Sequence, residues 1–220
     1  VHASEQVEMN VVGSRADWKV PRFRKSLQGV MPELGRGRGP VRWLDVGAGF
    51  GEFVEAAEIP VMVKLTPNIT SVAYAARAAK KGGANAISLI NTINSITQVN
   101  LDRMCPEPYV AGMSTHGGYC GPAVKPIALH MVAALAREPR FGLPISGIGG
   151  VSNWRDAVEF ILLGSSTVQV CTEVMLRGYK VVEDMKDGLE QYMRTHGFTR
   201  IDQMVGKAVP AFSEWGDLDL

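Results

Sequence analysis

The stretch that decides the fold is Ile145-Ser146-Gly147-Ile148-Gly149-Gly150-Val151-Ser152-Asn153, in the second half of a 220-residue chain. A short apolar run follows Pro144, two glycines come together, and a helical pattern starts at about Asn153. This order predicts a strand that stops, a turn without side chains and the amino end of a helix. Backbone N–H groups at a helix start bind anions, and paired glycines let a phosphate come close. A simple turn that binds nothing is the alternative for Gly149-Gly150.

A second stretch of the same kind, Thr167-Val168-Gln169-Val170, follows about 20 residues further on, after an amphipathic segment. It ends in Cys171-Thr172. Two consecutive strand-to-helix turns that face the same way build the phosphate site of a (β/α)₈ barrel, from the loops after strands 7 and 8. Together, the two stretches predict an anion site between Gly149-Gly150 and Cys171-Thr172.

The region from Pro60 onward repeats an apolar run and an amphipathic segment. A helix capped by Thr70 or Ser71 and ended by Gly82-Gly83 separates the first two runs. We expect further helices over residues 124–137, 154–163 and 179–196, a long functional loop over residues 94–122, and parallel strands at about residues 61–64, 86–90, 145–147 and 167–170. The predicted fold class is α/β: the C-terminal half of a (β/α)₈ TIM barrel with parallel strands, preceded by an irregular segment and one βα unit.

Composition and charge indicate which kinds of partner and which cellular compartment to expect for this chain. The formal net charge is +1, so charge predicts neither a nucleic-acid nor a membrane partner. No apolar run approaches the ~20 residues that cross a bilayer, and Val1-His2-Ala3-Ser4-Glu5 lacks the features of a signal peptide. Cys105, Cys120 and Cys171 are odd in number and widely spaced, which argues against disulfides and against a metal site. A cytoplasmic location is therefore expected.

The first 57 residues are expected to form a region separate from residues 58–220. Basic side chains lie among glycine and proline up to Pro40, which favours a solvated linker over a nucleic-acid arm. The stretch Asp45-Val46-Gly47-Ala48-Gly49-Phe50-Gly51 then predicts a strand, a glycine turn and a helix. It resembles the first motif of class I S-adenosylmethionine-dependent methyltransferases. That family holds the cofactor's ribose with an acidic residue after the next strand, where this chain has Lys64; a turn that binds nothing is the alternative.

The carboxyl ends of the predicted strands carry side chains that suit a binding site. Lys64 closes an apolar strand, so its ammonium needs a partner unless it is an ordinary surface lysine. Asn91-Thr92 ends the next strand, and the donor and acceptor of an amide suit a flat, amide-bearing ring; a helix cap is the alternative. Cys171 is interpreted either as a nucleophile or as a buried packing residue.

Residues 60–220 contain five runs that resemble the dihydroorotate dehydrogenase family, in the branch of the flavin subunits of NAD-dependent dihydropyrimidine dehydrogenases. Their order and spacing make the resemblance specific, and it covers about three quarters of the chain. The runs are Val63-Lys64-Leu65-Thr66-Pro67-Asn68, Ile90-Asn91-Thr92-Ile93, the segment Gly117-Gly118-Tyr119-Cys120-Gly121 with Ala123-Val124-Lys125-Pro126-Ile127-Ala128-Leu129, Ser146-Gly147-Ile148-Gly149-Gly150, and Val168-Gln169-Val170-Cys171-Thr172.

The resemblance implies that residues 58–220 form an FMN-binding half-barrel. It implies a place for Lys64 beside the pyrimidine edge of the flavin, and contacts from Asn91 and Thr92 to a uracil or thymine ring. The implied phosphate contacts, mainly through backbone N–H groups, are Gly121, Gly149, Gly150, Cys171 and Thr172. The implied reaction is hydride transfer between the flavin and the C5–C6 bond of a pyrimidine base, as in a dihydropyrimidine dehydrogenase (NAD⁺) acting on CH–CH donors.

The chain departs from this family at the general acid. The family supplies that acid as a cysteine in an Asn-x-Ser-Cys-Pro loop in the first half of the barrel, and no such motif occurs in this sequence. We therefore assign no catalytic residue and expect the single chain to be incomplete as an enzyme. Cys120, where the family commonly has serine, is not interpreted as a substitute acid.

The partners implied by the resemblance belong to the full family complex. Trp215-Gly216-Asp217-Leu218-Asp219-Leu220 resembles the linker before the family's iron–sulfur segment. NAD, iron–sulfur clusters and an NAD/FAD-binding partner subunit are therefore expected only for the full complex, and a homo-oligomer is left open. Two alternative functions remain: an S-adenosylmethionine-dependent methyltransferase fragment and a non-catalytic flavin- or phosphate-binding half-barrel.

Overall fold

The computed structural model describes residues 44–46 and 60–218. The strands are β1 (Leu44–Val46), β2 (Val61–Leu65), β3 (Ala86–Leu89), β4 (Ile93–Ser95), β5 (Gln98–Asn100), β6 (Cys105–Glu107), β7 (Tyr109–Val110), β8 (Met113–Ser114), β9 (Gly117–Tyr119), β10 (Ile145–Gly147) and β11 (Thr167–Val168). The helices are α1 (Val72–Lys81), α2 (Lys125–Ala136), α3 (Trp154–Leu162), α4 (Thr172–Arg177) and α5 (Lys180–Thr195). Short 3₁₀ turns occupy Pro122–Val124, Ile201–Gln203, Val209–Ala211 and Trp215–Asp217.

Five strands form one parallel sheet in the order β1-β2-β3-β10-β11. A helix follows each of β2, β10 and β11, whereas the segment β4–β9 separates β3 from α2. The four predicted strands are all present, each within two residues of its expected end, and no pair among them is antiparallel. The prediction of a half-barrel with parallel strands is therefore confirmed.

The two faces of the sheet differ in polarity because side chains alternate along a strand. In β2, Val61, Val63 and Leu65 are buried, whereas Met62 and Lys64 are only half-buried on the opposite face. The buried face joins the core cluster that also includes side chains of α1, α2 and α3. Lys64 therefore lies on the face of the sheet that the helices do not cover.

Helix α1 begins and ends at the residues that the sequence indicated. Ser71 is its N-cap and accepts a hydrogen bond from the backbone N–H of Tyr74 at 3.4 Å. Gly82 ends it by donating its N–H to the carbonyl of Ala78 at 3.0 Å. Alanine side chains on the buried face bring the helix close to β2 and β3, since they occupy little space.

The segment after β3 differs from its prediction. Residues 94–122 were expected to form a long loop, but they carry three antiparallel ladders, which pair β4 with β9, β5 with β6 and β7 with β8. These strands have only two or three residues each, which is too short for an alternating pattern to be recognised. The predicted helix over residues 179–196 is preceded by a second helix, α4, and Gly178 separates the two with a φ of 72°.

The predicted amino-terminal βα unit is described only in part. Its strand is present as β1, where Leu44 lies opposite Val61 and Val46 opposite Val63 in β2. The glycine turn and helix predicted after β1, the irregular segment before it, and the expected boundary between residues 57 and 58 lie outside the described residues. They stay predictions.

The contact between α3 and α5 generates a stability prediction. Gly188 is buried in α5, and a Cβ atom there would lie 2.2 Å from Cγ of Trp154 in α3. We expect Gly188→Ala to destabilise the protein by about 1–3 kcal/mol through overpacking. This is opposite in sign to the gain of about 1 kcal/mol that alanine brings to a helix interior. Urea denaturation measures the free energy of unfolding.

The neighbouring exposed residue provides the control for this prediction. Asp187 lies in the same turn of α5, and we expect Asp187→Ala to change the free energy of unfolding by no more than about 0.5 kcal/mol. A Gly188→Ala variant more stable than the parent would contradict the contact with Trp154.

Candidate functional site

The eight residues predicted for the site lie around one cleft at the carboxyl ends of the strands. The cleft encloses about 650 Å³ of space when its open mouth is counted. The predicted residues that line it are Lys64, Asn91, Thr92, Gly121, Gly149, Gly150, Cys171 and Thr172. The fold thus brings together positions that are up to 108 residues apart, from Lys64 to Thr172.

Lys64 reaches the cleft from the uncovered face of β2. Its side chain is half-buried, and it makes no hydrogen bond or ion pair with any residue that the structure describes. An ammonium that loses part of its hydration without gaining a partner is costly. The position of Lys64 therefore suits a ligand that presents an anion or a hydrogen-bond acceptor.

The glycine pair is needed for a reason that the sequence did not reveal. Gly149 and Gly150 have φ values of +137° and +73°, and both approach helix α2 or the turn before it. A Cβ on Gly149 would lie 2.7 Å from Cβ of Ala128, and one on Gly150 would lie 2.7 Å from the carbonyl oxygen of Gly121. The protein's own contacts therefore exclude side chains here, whether or not a ligand approaches. Gly121 differs, because its φ of +85° favours glycine while its Cβ position is open.

The amino end of α3 is already occupied by side chains. The Asn153 side-chain oxygen accepts hydrogen bonds from the backbone N–H groups of Arg155 and Asp156, at 2.9 and 3.3 Å. The Asp156 carboxylate accepts from the N–H groups of Ser152 and Asn153, at 2.8 and 3.1 Å. These bonds form a capping box. Four N–H groups at the amino end of α3 therefore already have partners, and a contact of this helix end with an anion stays a prediction.

The free N–H groups of the cleft belong to the two turns. Among the residues that the structure describes, the backbone N–H groups of Gly149, Gly150, Cys171 and Thr172 have no acceptor. Cys171 precedes α4, and no side chain caps this helix start. Four donors from two neighbouring turns, close to a single unpaired ammonium, form a surface that suits an anion.

Asn91 and Thr92 follow β3, which lies between the strand of Lys64 and the strand before the glycine pair. A strand, β4, comes directly after them, so the alternative of a helix cap is wrong. The Asn91 side-chain oxygen accepts a hydrogen bond from the N–H of Thr92 at 2.9 Å, while its amide NH₂ has no partner among the described residues and can donate to a ligand. Asn68 holds this turn by donating to the carbonyl of Thr92 at 3.1 Å.

The two cysteines at the cleft are exposed. Cys171 was interpreted as a nucleophile or as a buried packing residue, and its exposure rules out the second alternative. Cys120 is also exposed, and its Sγ lies 3.7 Å from Oγ1 of Thr172. Both thiols therefore lie at the surface of the cleft, one on each side of Thr172.

Gln169 was not recognised from the sequence as a residue of the cleft. Its side-chain amide bonds Oγ of Ser88 at 2.9 Å and Oγ of Ser146 at 2.8 Å, and Oγ1 of Thr167 bonds the same Ser146 atom at 2.8 Å. Ser88 and Ser146 are buried. The sequence signal for this cluster is a serine inside each of two apolar strands. The parallel register places Ser88 opposite Lys64 and Ser146 opposite Ser88.

Lys125 belongs to one of the runs that carry the family resemblance, and the sequence predicts no role for it. Its ammonium lies 2.6 Å from Oδ1 of Asp156 and 2.9 Å from Oε2 of Glu159. The hydrogen bond to Asp156, followed by that to Glu159, raises the pKa of Lys125 above its ordinary value of 10.5, against the opposing effect of burial. The first turn of α2 is thereby tied to the first turns of α3.

Across residues 60–218, no cluster of three or more histidine, cysteine, aspartate and glutamate side chains is arranged to hold a metal ion. None of the helices described there combines the length and apolar character needed to span a bilayer.

The hydroxyl cluster under Gln169 generates a second stability prediction. Gln169→Leu should destabilise the protein by about 1–3 kcal/mol, because it removes the amide partner of two buried hydroxyl groups. Thermal and urea denaturation measure the change. Gln191→Leu is the matched control at an exposed position of α5, and it should change stability by no more than about 0.5 kcal/mol. Equal changes in the free energy of unfolding for the two substitutions would show that the buried hydroxyl cluster does not stabilise the protein.

The ion pairs of Lys125 generate a prediction for pH. The pKa of Lys125 is raised in the folded state. The contribution of its ion pairs to the free energy of unfolding is therefore complete below about pH 10.5, and it is lost as the pH rises through the folded pKa. Parent protein and Lys125→Met should therefore differ by a constant amount, about 1–3 kcal/mol, between pH 7 and 10, and the difference should shrink above 10.5. Urea denaturation at each pH tests this. A difference that stays constant up to pH 12 would contradict it.

Comparisons with known proteins show the family of the chain. The dihydroorotate dehydrogenase family model matches residues 10–193. NAD-dependent dihydropyrimidine dehydrogenase subunit PreA of Escherichia coli K12 is 46% identical over 162 residues, which are 73% of this chain and 39% of that protein. Dihydroorotate dehydrogenase B (NAD(+)), catalytic subunit, of Thermococcus kodakarensis is 43% identical over 155 residues, 70% of this chain and 49% of that protein.

A plant relative extends the range of organisms. Chloroplastic dihydropyrimidine dehydrogenase (NADP(+)) of Arabidopsis thaliana is 43% identical over 166 residues, 74% of this chain and 39% of that protein. The chain thus spans between two fifths and one half of the length of these relatives. The family match runs through residues 41–55, so the methyltransferase alternative is not favoured. With most of its length matched by the family model and with identities of 43–46%, this chain belongs to the dihydroorotate dehydrogenase family.

Proposed function

We propose that this chain is the FMN-binding half-barrel of an oxidoreductase that acts on the C5–C6 bond of a pyrimidine base, converting between uracil or thymine and the dihydropyrimidine. One observation carries the proposal: the unpaired ammonium of Lys64 and the free N–H groups of Gly149, Gly150, Cys171 and Thr172 border the same cleft. Such a cleft suits a ligand with a terminal anion and an electron-rich ring.

The residues of the cleft fit FMN. The four free N–H donors, with the open position at Gly121, match a phosphate group, which needs several hydrogen bonds and space for its oxygens. Lys64 offers a positive charge to the pyrimidine edge of the flavin, where negative charge collects on reduction. FMN would supply the hydride transfer itself, while these residues bind it and tune its charge.

Asn91 and Thr92 are proposed to hold the pyrimidine base. The amide NH₂ of Asn91 has no partner among the described residues, so we infer that it donates to a carbonyl oxygen of the base. Thr92 offers a hydroxyl group on the same turn. Both side chains are exposed at the cleft, as substrate contacts must be before the substrate binds.

The proposed assembly contains more than this chain. A relative at 46% identity carries the name of a subunit of an NAD-dependent enzyme, which supports a partner subunit that binds NAD or FAD. Iron–sulfur clusters and the general acid of the missing Asn-x-Ser-Cys-Pro loop would come from the rest of such a complex, in the cytoplasm. A homo-oligomer is a further element of this proposal.

A non-catalytic, flavin-binding half-barrel is the second candidate. It is favoured by the sheet itself, which has five strands in the described residues and no proposed acid among them. Turnover of dihydrouracil with an artificial electron acceptor distinguishes the two candidates, because only the oxidoreductase oxidises it. Turnover by the chain assembled with the rest of its complex would favour the enzyme, and flavin binding without turnover in that assembly would favour the second candidate.

Flavin titration tests the proposed cofactor site. We expect the purified protein to bind FMN, and Cys171→Ser to keep its Kd within about threefold, because the backbone of that residue makes the contact. Lys64→Ala should retain FMN but lower its reduction potential, since the reduced flavin loses a counter-charge. Fluorescence quenching gives the Kd, and dye equilibration gives the potential.

The control for Lys64 is Lys81→Ala, an exposed lysine at the end of α1, which should leave the potential unchanged. Gly149→Val should also abolish flavin retention, but its Cβ would collide with Ala128, so this loss would report on the fold as well as on the cofactor. Absence of FMN binding by the parent protein, or equal flavin loss in Cys171→Ser and Gly149→Val, would overturn the backbone cradle.

A further inference from the structure

We propose that Lys125 and Asp156 are positioning residues that set the shape and the charge of the anion cradle, although neither is assigned a contact with the ligand. The cradle is defined as the turn at Gly149-Gly150, the turn at Cys171-Thr172 and Gly121. This inference rests on the proposed function, because it assumes that the cradle binds the phosphate of FMN.

The ion pair joins two elements that the chain does not connect directly. Lys125 lies in the first turn of α2 and Asp156 in the first turn of α3, 31 residues apart, with 2.6 Å between Nζ and Oδ1. Their side chains are only 26% and 8% exposed, so solvent screens this pair less than a surface pair. Loss of one partner of such a pair leaves a poorly solvated charge behind.

Asp156 transmits the position of Lys125 to the glycine turn. Its second oxygen, Oδ2, accepts hydrogen bonds from the N–H of Ser152 at 2.8 Å and of Asn153 at 3.1 Å. Ser152 in turn donates from its hydroxyl group to the carbonyl of Gly150 at 3.2 Å. A continuous series of bonds therefore runs from the ammonium of Lys125 to the backbone of Gly150.

The backbone at Lys125 also leaves no room for a side chain in the turn. A Cβ at Gly150 would lie 2.9 Å from Cβ of Lys125 and 2.7 Å from the carbonyl oxygen of Gly121. The turn before α2 and the turn before α3 thus meet at Gly150 with no free space between them. A shift of Lys125 must move one of the two turns, and the distance between their N–H groups changes with it.

Charge gives Lys125 a second effect on an anionic ligand. Asp156 and Glu159 place two carboxylates near the cradle, and Lys125 bonds both. Without the ammonium, these carboxylates would repel a phosphate dianion while having little effect on a neutral ligand. Loss of Lys125 should therefore weaken binding of FMN far more than binding of riboflavin, which is the same ring system without phosphate.

The experiment compares the Kd values of FMN and riboflavin by fluorescence quenching. We expect Lys125→Met to raise the Kd of FMN by about tenfold or more and that of riboflavin by less than about threefold. Lys125→Arg, which can restore the ion pair, should recover most of the FMN affinity. Lys180→Met, at an exposed lysine of α5, is the matched control and should change neither Kd. Equal loss of both ligands, or no loss of FMN, would overturn the proposal.

Amide hydrogen exchange is a second measurement that needs no flavin. It uses a second variant, Asp156→Asn, in case Lys125→Met folds poorly. Asp156→Asn keeps the size of the side chain and removes the charge, and we expect amide hydrogen exchange at Ser152 and Asn153 to accelerate in both Asp156→Asn and Lys125→Met. Exchange in the last turns of α2 should stay unchanged. Unchanged exchange at Ser152 and Asn153 would overturn the positioning role, even if the parent protein failed to bind FMN. That failure would itself contradict only the proposed function.

Discussion

The close approach of Gly150 to the start of α2 is the constraint on which the cleft depends. A single Cβ at this position would overlap the carbonyl oxygen of Gly121 and the backbone nitrogen of Lys125, at 2.7 and 3.0 Å. Because interiors are close-packed, the turn after β10 and the turn before α2 can meet only if this residue is glycine. That contact positions the free N–H groups of Gly149 and Gly150. The ion pair between Lys125 and Asp156 joins the two helices that begin beside it.

The uncovered face of the sheet gives the cleft its chemical character. Apolar side chains face the helices, while Lys64, Ser88 and Ser146 lie across neighbouring strands on the opposite face. Gln169 satisfies both buried hydroxyl groups, so the polar residues beneath the cleft have partners, whereas the ammonium of Lys64 has none among the described residues. This contrast is what makes Lys64 a binding group rather than a structural one in our proposal.

Periodicity predicted the parallel strands and most helices because each apolar run and amphipathic segment is long enough to carry its own signal. It failed where the signal is local and weak: the two- and three-residue strands between Ile93 and Tyr119, and helix α4, which Gly178 divides from α5. Seven of the eight candidate residues lie at the carboxyl ends of parallel strands, which share one edge of the sheet, so their order along the chain was sufficient to predict their proximity. Gly121, which precedes α2, was predicted from the family resemblance alone.

The sequence by itself determined the fold class, the family and the set of residues at the strand ends, since these follow from patterns within short stretches. Only the tertiary structure decided which polar groups are free. Asn153 and Asp156 accept hydrogen bonds from N–H groups at the amino end of α3, and the side-chain oxygen of Asn91 accepts one from Thr92, through contacts that side-chain orientation controls. The role of Lys125 was equally hidden, because its partners lie 31 and 34 residues away and meet it only after two helices pack together.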